Sequence, residues 1–327
     1  MIEAPRPAAL VTGAAGFLGS HLAERLLALG HDVTGVDCFT PYYARRLKEA
    51  NLAGPVRLPR FRFRELDLAR GEIAPLLDGR EWVFHLAAQP GVRASWEDGF
   101  APYAEHNLLA TQRLLEACRR ARVTAFVFAS SSSVYGNVAE GSVGEDAPLR
   151  PISPYGVTKL AAEQLVLVYH REFGLSTVSL RYFTVCGPRQ RPDMAFHRIL
   201  RAIHRGDEFL MHGDGSQERD FTSVTDAVEA NLLAARAGRW GATYNIGGGK
   251  PHSLRSAIDI LEECTGRKVR IRVLPRAEGD PLRTAADLTR AREGLGYAPR
   301  VSLAEALREE AAWFAGPEGP PVVEGWA

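Results

Sequence analysis

The sequence predicts an α/β protein in which a doubly wound parallel sheet carries a smaller α+β lobe. Three observations support this class. Up to about residue 181, short apolar segments alternate with segments whose apolar residues recur at helical spacing. A turn with three glycines, Gly13, Gly16 and Gly19, separates the first strand from the first helix. After about Gly187 the alternation stops, and loops rich in proline and glycine separate isolated strands.

The first part of the chain is predicted to supply the strands and helices of the main sheet. Its strands are expected at residues 8–12, 32–36, 61–66, 82–86, 125–130 and 176–181. Its helices are expected at residues 17–29, 102–122 and 155–173. The last of these helices is followed by Gly174, where a left-handed cap is expected. Short strands that alternate with helices are typical of a parallel, doubly wound sheet.

The rest of the chain predicts a second, less regular lobe, with strands at residues 208–212, 242–246 and 269–274. A length of 327 residues allows one large domain or two modest ones. We expect the first lobe at residues 1–187, the second at 188–315 and a loosely attached tail at 316–327. Some strand-like segments of the second part are expected to return to the first lobe.

The composition argues against several classes of protein. Forty Lys and Arg residues balance 39 Asp and Glu residues, and a net charge of +1 does not suit a nucleic-acid binder that relies on a basic surface. No segment approaches the roughly 18 consecutive apolar residues that a membrane span needs. The four cysteines lack any C-x-x-C pairing, so no metal site is predicted. The first residues lack the features of a signal peptide, and we expect a protein of the reducing cytoplasm.

The glycine turn has the spacing G-x-x-G-x-x-G at the position of the dinucleotide-binding turn of a Rossmann-like fold. Glycines there let the backbone approach a pyrophosphate, whose charge is met by the amides that begin the following helix. Asp37 ends the second strand, 18 residues after Gly19, close to the spacing of an acid that binds the adenosine ribose hydroxyls. Because an acid repels a ribose phosphate, the sequence predicts NAD rather than NADP as the cofactor.

Tyr155 and Lys159 form a Y-x-x-x-K pair near the start of a predicted helix, which places both side chains on one face. An ammonium beside a phenol favours the phenolate, and such a tyrosine can take a proton from an alcohol. Lysine is scarce here, since only four of the 40 basic residues are lysines, so this pair carries more information than any lone arginine. A serine cluster at residues 130–133 ends the fifth strand, where open α/β sheets bind ligands.

Five motifs now appear in order along the chain. They are T-G-A-A-G-F-L-G at 12–19, H-L-A-A-Q at 85–89, S-S-S-S-V-Y-G at 130–136, S-P-Y-G-V-T-K at 153–159 and L-R-Y-F-T-V-C-G-P-R-Q-R-P-D-M at 180–194. Together they resemble an extended short-chain dehydrogenase/reductase of the NAD-dependent sugar-nucleotide epimerase/dehydratase family. The resemblance covers roughly residues 8–315, and its joint specificity is far above that of any single motif.

The resemblance implies roles for individual residues. Tyr155 matches the catalytic base, Lys159 its partner and a ribose ligand, and Ser131 the hydroxyl that binds the reacting oxygen. The residues that match cofactor contacts are Gly13, Gly16, Phe17, Leu18, Gly19, Asp37, Cys38, Phe39, Asp67, Leu68, Leu86, Ala87, Ala88, Gln89, Pro90, Asn107 and Phe183. In the second lobe, Arg219 and Asp280 are expected at the phosphates and ribose of UDP, and Leu210 and His212 beneath the uridine.

Within the family, the chain is most similar to the UDP-glucuronate 4-epimerases. Ser132 and Ser133 occupy the positions where dehydratases carry Asp and Glu, so these positions offer no carboxylate for elimination. Together with Thr184 they predict a pocket that donates hydrogen bonds to a glucuronate carboxylate. Arg191 or Arg93 is the expected charged partner. The implied reaction is oxidation and re-reduction at carbon 4 of the sugar by a tightly held NAD.

Other readings of the sequence stay open. The nearest alternative is a UDP-glucose 4-epimerase, which differs in having an alcohol at carbon 6 of its substrate, and a UDP-glucuronate decarboxylase comes third. A non-catalytic dinucleotide-binding regulator is a different class, but such proteins typically lose the Tyr and Lys that this chain keeps. The long helices at 102–122 and 155–173 are the ones that pair in dimers of related proteins, so a homodimer is expected.

Overall fold

The fold is described from a computed structural model for residues 6–137, 141–276, 281–317 and 319–320. The strands are β1 (Ala9–Thr12), β2 (Val33–Asp37), β3 (Phe61–Glu65), β4 (Trp82–His85), β5 (Ala125–Ser131), β6 (Thr177–Tyr182), β7 (Thr184–Cys186), β8 (Glu208–His212), β9 (Glu218–Ser223), β10 (Ala242–Ile246), β11 (Pro251–Ser253) and β12 (Arg270–Leu274). The helices are α1 (Phe17–Ala28), α2 (Arg45–Leu52), α3 (Ala101–Tyr103), α4 (Ala110–Ala121), α5 (Pro154–Phe173), α6 (Ala195–Arg205), α7 (Val224–Ala237), α8 (Leu254–Thr265), α9 (Thr289–Leu295) and α10 (Leu303–Ala315).

Seven parallel strands form the main sheet in the order β10-β6-β5-β4-β1-β2-β3. The order reverses next to β1, which pairs with β2 on one side and β4 on the other. All four residues of β1 are buried, as expected for a central strand covered on both faces. The predicted α/β class with a doubly wound parallel sheet is therefore confirmed.

Helices cover both faces of the main sheet and bury one apolar cluster on each. On one face, α1 packs against α7, and Leu22, Leu26, Val127 and Val228 belong to its cluster. On the other face, α4 packs against α5, with Leu114 among the buried residues. The strand β10 and the helix α7 come from the second part of the chain, yet both pack into the main sheet.

The second part of the chain also forms a smaller group of elements beside the carboxyl ends of the main strands. The strands β11, β9 and β7 form one small sheet, and β12 pairs with β8 in parallel. The strands predicted at residues 208–212 and 269–274 are therefore present as β8 and β12, and each pairs with the other. Their partners lie far away in sequence, and no local pattern shows such pairing. The helices α6, α8 and α10 bury an apolar cluster that includes Phe196, Ile258 and Leu307.

Two predicted elements differ in detail from the structure. The long helix expected at 102–122 is divided: α3 leads into a π-helical segment, Ala104–Leu109, before α4 begins. A π-helical turn inside a helix is frequent at functional sites, and hydrophobic spacing alone does not show it. The second strand runs one residue later than expected, so that Asp37 belongs to β2. The predicted end of the long helix is confirmed by Arg122, which adopts a left-handed conformation with φ of 56°.

No helix within the described ranges combines the length and the apolar character that crossing a bilayer requires. The four cysteines are all free thiols, with Cys118 and Cys186 buried.

Candidate active site

A cleft of about 360 Å³, hereafter the cleft, lies along the carboxyl ends of the main strands. It is at the position where β1 lies between β2 and β4, which is where open α/β sheets bind their ligands. The predicted site residues that line it are Gly13, Gly16, Phe17, Leu18, Gly19, Asp37, Cys38, Asp67, Leu68, Leu86, Ala87, Ala88, Pro90, Ser131, Ser132, Ser133, Tyr155, Lys159, Phe183, Thr184 and Arg191.

The glycine turn leaves no room for side chains. Gly13 has φ of 69°, and a Cβ there would stand 2.9 Å from the amide nitrogen of Ala87. At Gly19, a Cβ would stand 2.1 Å from the carbonyl oxygen of Gly13. The turn leads directly into α1, which begins at Phe17 with Gly16 as its N-cap. Free amides and bare backbone at a helix start suit a pyrophosphate.

Asp37 holds the end of β2 in a fixed arrangement. Its carboxylate accepts hydrogen bonds from the amide of Ala15 (3.2 Å) and from that of Phe39 (2.9 Å). Burial raises the pKa of the Asp37 carboxyl, although these amides and the nearby Lys48 act against the shift. Phe39 adopts a left-handed conformation with φ of 49° and, although predicted as a cofactor contact, does not line the cleft. The arrangement places one carboxylate where an adenosine ribose would be bound.

Three further polar groups stand together at this end of the cleft. A nitrogen of His106, a carboxylate oxygen of Asp67 and the sulfur of Cys38 all lie within 4.8 Å of one another. Asp67 also accepts a hydrogen bond of 2.8 Å from the amide of Ala69, which fixes its carboxylate. Beside Leu68, these groups offer hydrogen-bonding partners for a purine and its ribose.

Tyr155 lies in the first turn of α5 and faces the serine cluster. Ser131 lines the cleft with Tyr155, and its hydroxyl donates a hydrogen bond of 3.1 Å to that of Ser133. Burial raises the pKa of the Tyr155 phenol, while Ser131 and the positive charge of Arg191 act to lower it. The backbone amide of Tyr155 donates to the Ser95 hydroxyl at 3.1 Å, so the start of α5 is tied to the loop after β4.

Lys159 lies one turn after Tyr155 and is 3% exposed. Its ammonium lies 4.6 Å from the centre of the Phe128 ring. Burial lowers the pKa of Lys159 to about 7, and the carboxylate of Glu163 acts against this shift. Because Lys159 is buried, little water screens its charge from the groups around it.

Asn107 lies in the π-helical segment beneath the cleft and does not line it. Its Oδ1 accepts a hydrogen bond of 2.7 Å from the backbone amide of Gln89, and its Nδ2 donates one of 3.2 Å to the carbonyl of the same residue. It also donates to the hydroxyl of Thr158 at 3.0 Å, which in turn donates to the carbonyl of Tyr155. Asn107 thus joins the loop after β4 to the first turn of α5, and Gln89 faces the same network.

The predicted carboxylate pocket is brought together in part. Ser132, Ser133, Thr184 and Arg191 line the cleft together with Tyr155, whereas Arg93 is exposed and does not. Arg191 donates from Nε and Nη2 to the two carboxylate oxygens of Asp193, each at 3.0 Å.

The remaining predicted residues lie elsewhere. Leu210 and His212 are on β8, and the ring of His212 is hydrogen-bonded to the carbonyl of Pro275 at 3.0 Å. Arg219 is on β9, where its guanidinium donates to the carbonyl of Glu218 at 2.8 Å. None of these three lines the cleft. Asp280 and most of the predicted tail, residues 318 and 321–327, lie outside the described residues.

The cleft also contains residues that the sequence analysis did not single out. Tyr42 comes from the loop after β2 and donates to Asp193 at 3.3 Å, so it joins that loop to the one that follows β7. Lys48 is 4% exposed, and its ammonium donates to the carbonyl of Thr40 at 2.7 Å. The scarcity of lysine could have identified Lys48, because it is one of only four lysines. No comparable signal marks Tyr42 or His106.

Comparisons with known proteins agree with this geometry. The profile of the NAD dependent epimerase/dehydratase family matches residues 9–247. A Bacillus subtilis protein named as an uncharacterized UDP-glucose epimerase, YtcB, is 46% identical over 307 residues, which are 93% of this chain and 97% of that protein. The UDP-glucuronate 4-epimerase of Thermodesulfobacterium geofontis is 35% identical over 309 residues, covering 93% and 95%. The crystal structure of the UDP-glucuronic acid 4-epimerase of Bacillus cereus, in complex with UDP-glucuronic acid and NAD, is 42% identical with a TM-score of 0.90, and the match covers 93% of this chain and 98% of that one.

Proposed function

Because the chain belongs to the NAD dependent epimerase/dehydratase family, we propose that it is a UDP-glucuronate 4-epimerase that interconverts UDP-glucuronate and UDP-galacturonate. One observation carries the choice of substrate within the family. The cleft holds Tyr155 and, with it, Ser132, Thr184 and Arg191. These last three residues can donate hydrogen bonds to a carboxylate. The similar Bacillus cereus enzyme, which was crystallised with UDP-glucuronic acid and NAD, supports the same substrate.

The residues of the cleft fit NAD. A Cβ at Gly13 or Gly19 would meet backbone atoms, so only glycine fits this tight turn, and the turn lines the cleft where a pyrophosphate would bind. Asp37 and Asp67 would bind the adenosine end, and Lys159 would bind the second ribose. NAD supplies the hydride acceptor for oxidation of the sugar and the hydride donor for its return. Because the hydride returns within each cycle, the cofactor should stay bound and no external reductant should be needed.

Tyr155 would remove the proton from the 4-hydroxyl of the sugar as that carbon is oxidised. Ser131, which lines the cleft beside Tyr155, would hold the same sugar oxygen by a hydrogen bond. The ammonium of Lys159 would stabilise the phenolate before the proton moves. The sugar ring of the resulting 4-keto intermediate would then turn over and accept hydride on its opposite face, and Tyr155 would return the proton.

The pocket formed by Ser132, Ser133, Thr184 and Arg191 would have a chemical purpose in this reaction. The 4-keto form of glucuronate is a β-keto acid, which loses carbon dioxide when the bond to its carboxylate aligns with the π system of the ketone. Hydrogen bonds that fix the carboxylate would prevent this alignment. Asp193 holds the Arg191 guanidinium at the pocket, and the structure offers Arg191 rather than Arg93 for the charged partner.

Binding of the UDP portion is proposed for the second part of the chain. Leu210 and His212 on β8 would lie beneath the uridine, Arg219 on β9 would meet the phosphates, and Asp280 would bind the ribose. The Thr222 hydroxyl on β9 donates to the carbonyl of Ile246 at the carboxyl end of β10, and β8 shares an apolar cluster with β9, which supports these roles.

A UDP-glucose 4-epimerase is the second candidate, because the similar Bacillus subtilis protein carries that name. Purified protein should be incubated with UDP-glucuronate and, separately, with UDP-glucose, without added NAD, and the sugar followed by proton NMR. We expect UDP-galacturonate from the first substrate. Turnover of UDP-glucose alone, or formation of a UDP-pentose as the main product, would overturn the proposal.

We also propose a cytoplasmic homodimer that pairs through α4 and α5. Four large apolar side chains are exposed on this side of the molecule: Leu109, Val157, Val168 and Phe173 are 48%, 50%, 48% and 55% exposed. Such a face suits a second copy of the chain, which would cover it symmetrically.

Light scattering should give about twice the chain mass of 35.8 kDa. The V157E/V168E double variant should give a monomer, while V273E on β12, which is equally exposed, should not change the mass.

A further inference from the structure

Two buried charges lie behind the catalytic pair and have no part in the mechanism above. The side chains of Glu163 on α5 and Arg181 on β6 are 4% and 5% exposed. Arg181 donates to both carboxylate oxygens of Glu163, from Nη2 at 2.6 Å and from Nε at 3.0 Å. The hydroxyl of Ser130 donates to the same carboxylate at 2.6 Å. A buried ion pair is costly to desolvate, so it adds little net stability, and a role for it must be sought in its position.

That position is set by helix geometry. Tyr155, Lys159 and Glu163 follow one another at intervals of four residues on α5, so their side chains lie along one face. Glu163 is one turn from Lys159 and two turns from Tyr155. Its partner Ser130 immediately precedes Ser131 on β5.

The charged and titratable groups that face Lys159 are few. On its own helix they are Tyr155 and Glu163. From β4, His85 contributes no charge, because burial and the nearby Lys159 lower its pKa to about 3. From β6, Arg181 is already engaged with Glu163. The aromatic ring of Phe128 on β5 contributes the remaining close contact. Glu163 is therefore the anion nearest to Lys159 among these groups.

We propose that Glu163 is a positioning residue for the reaction, which keeps Lys159 cationic and, through Ser130, holds the end of β5 that carries Ser131. This inference rests on the proposed function only in taking Tyr155 as the base. The negative charge one turn away favours the ammonium over the amine. Because Glu163 is farther from Tyr155, it affects the phenol less. The charge of Glu163 therefore opposes the effect of burial on Lys159, and it keeps the ammonium that stabilises the phenolate up to a higher pH.

The test is a titration of the Lys159 ammonium. The protein is produced with 13C-labelled lysine, and the Cε signal of Lys159, one of only four lysines, is followed against pH by NMR and identified by its absence in Lys159→Met. In Glu163→Gln, Lys159 should lose its proton at a pH lower by about one unit. The alkaline limb of the kcat profile should move to lower pH, since the ammonium is lost earlier. The titration needs no sugar nucleotide, so it stands or falls independently of the proposed substrate.

Glu145→Gln is the matched control. It removes another buried carboxylate of the same region, one that accepts from the amide of Asn245 at 2.7 Å but does not lie on α5. It should lower Tm and leave the Lys159 titration unchanged. If Glu163→Gln does not fold, the E163Q/R181M double variant leaves neither charge unpaired, and it should show the same shift. Glu163→Asp should recover much of the wild-type titration. A titration curve for both Glu163→Gln and the double variant that matches that of the wild type would overturn the proposal.

Discussion

Thr184 is the residue whose single hydroxyl bears most directly on the outcome of the proposed reaction. It begins β7, is partly buried and lines the cleft with Ser132 and Arg191. A hydrogen bond to a charged group contributes about 1.5–3 kcal/mol, which corresponds to a factor of ten or more in the ratio of two competing paths. One hydrogen bond from this hydroxyl is therefore strong enough to change the ratio between return of hydride and loss of carbon dioxide.

Thr184→Val should release more UDP-pentose from UDP-glucuronate than the wild type does, by about tenfold relative to the epimer, because the carboxylate loses one of its hydrogen bonds. The two products are separated by anion-exchange chromatography after partial turnover. Thr184→Ser keeps the hydroxyl and should behave like the wild type. If Thr184→Val yields no additional UDP-pentose, the carboxylate is not held by this group.

At the scale of one element, the start of α5 decides where Tyr155 stands. Ser153 is the N-cap, and its hydroxyl accepts from the amide of Gly156 at 3.1 Å. Ser95 accepts from the amide of Tyr155, so two buried serines fix the first turn of the helix. The same kind of cap occurs at α7, where Ser223 accepts from the amide of Asp226 at 3.0 Å.

Ser153→Ala and Ser223→Ala form a matched pair, since both serines are buried N-caps. Each variant should lower the free energy of unfolding by about 1 kcal/mol. Only Ser153→Ala should also lower kcat, because its loss loosens the turn that carries Tyr155. Urea unfolding and the rate of epimerisation check the two effects. A similar fall in kcat in both variants would show that general stability, rather than placement of Tyr155, was measured.

The elements that the sequence predicted well are those whose signal is local. The spacing of apolar residues and the cap at Gly174 are enough to predict α5, and β1 with its glycine turn is equally clear. The π-helical segment has no such signal. It is marked by Asn107, whose partners Gln89 and Thr158 lie 18 and 51 residues away, so tertiary contacts must form before it is defined.

The same distinction applies to the candidate site. The motifs around Gly13, Asp37 and Tyr155 are contiguous and could be identified from the chain alone. Tyr42 and Asp193 meet across 151 residues, and no local pattern relates them. Among 36 arginines, the sequence also left Arg191 and Arg93 as equal choices for the carboxylate, and only the placement of Arg191 in the cleft separates them.

At the scale of the whole molecule, Glu310 ties the helix α10 to the chain segment that leaves β7. The side chain is fully buried, and its Oε2 accepts from the amide of Gly187 at 2.9 Å. Its other oxygen, Oε1, has no hydrogen-bond partner within the described part of the chain. Burial raises the pKa of the Glu310 carboxyl well above its ordinary value of 4.5, although the Gly187 amide acts against the shift. The folded protein therefore holds this carboxyl protonated in conditions where the unfolded chain ionises it.

This raised pKa makes the stability of the fold depend on pH in a definite direction. Below pH 4.5 both states bind the proton, and the group contributes no dependence. Above that value the unfolded chain releases the proton while the folded protein keeps it. Folding then requires proton uptake, and stability falls by up to about 1.4 kcal/mol for each pH unit until the folded pKa is reached. This loss of stability should weaken the attachment of α10 to the chain segment that runs from Gly187 to Arg191.

Glu310→Gln should remove this dependence, because the amide keeps an acceptor for Gly187 and does not ionise. The variant should be more stable than the wild type at pH 7.5, and the difference should shrink as the pH is lowered towards 5. Calorimetric Tm values measured across this range for both proteins check the prediction. Glu309→Gln, an exposed neighbour on the same helix, should follow the wild type at every pH. Parallel curves for Glu310→Gln and the wild type would mean that Glu310 is ionised in the folded protein and must have a counter-charge.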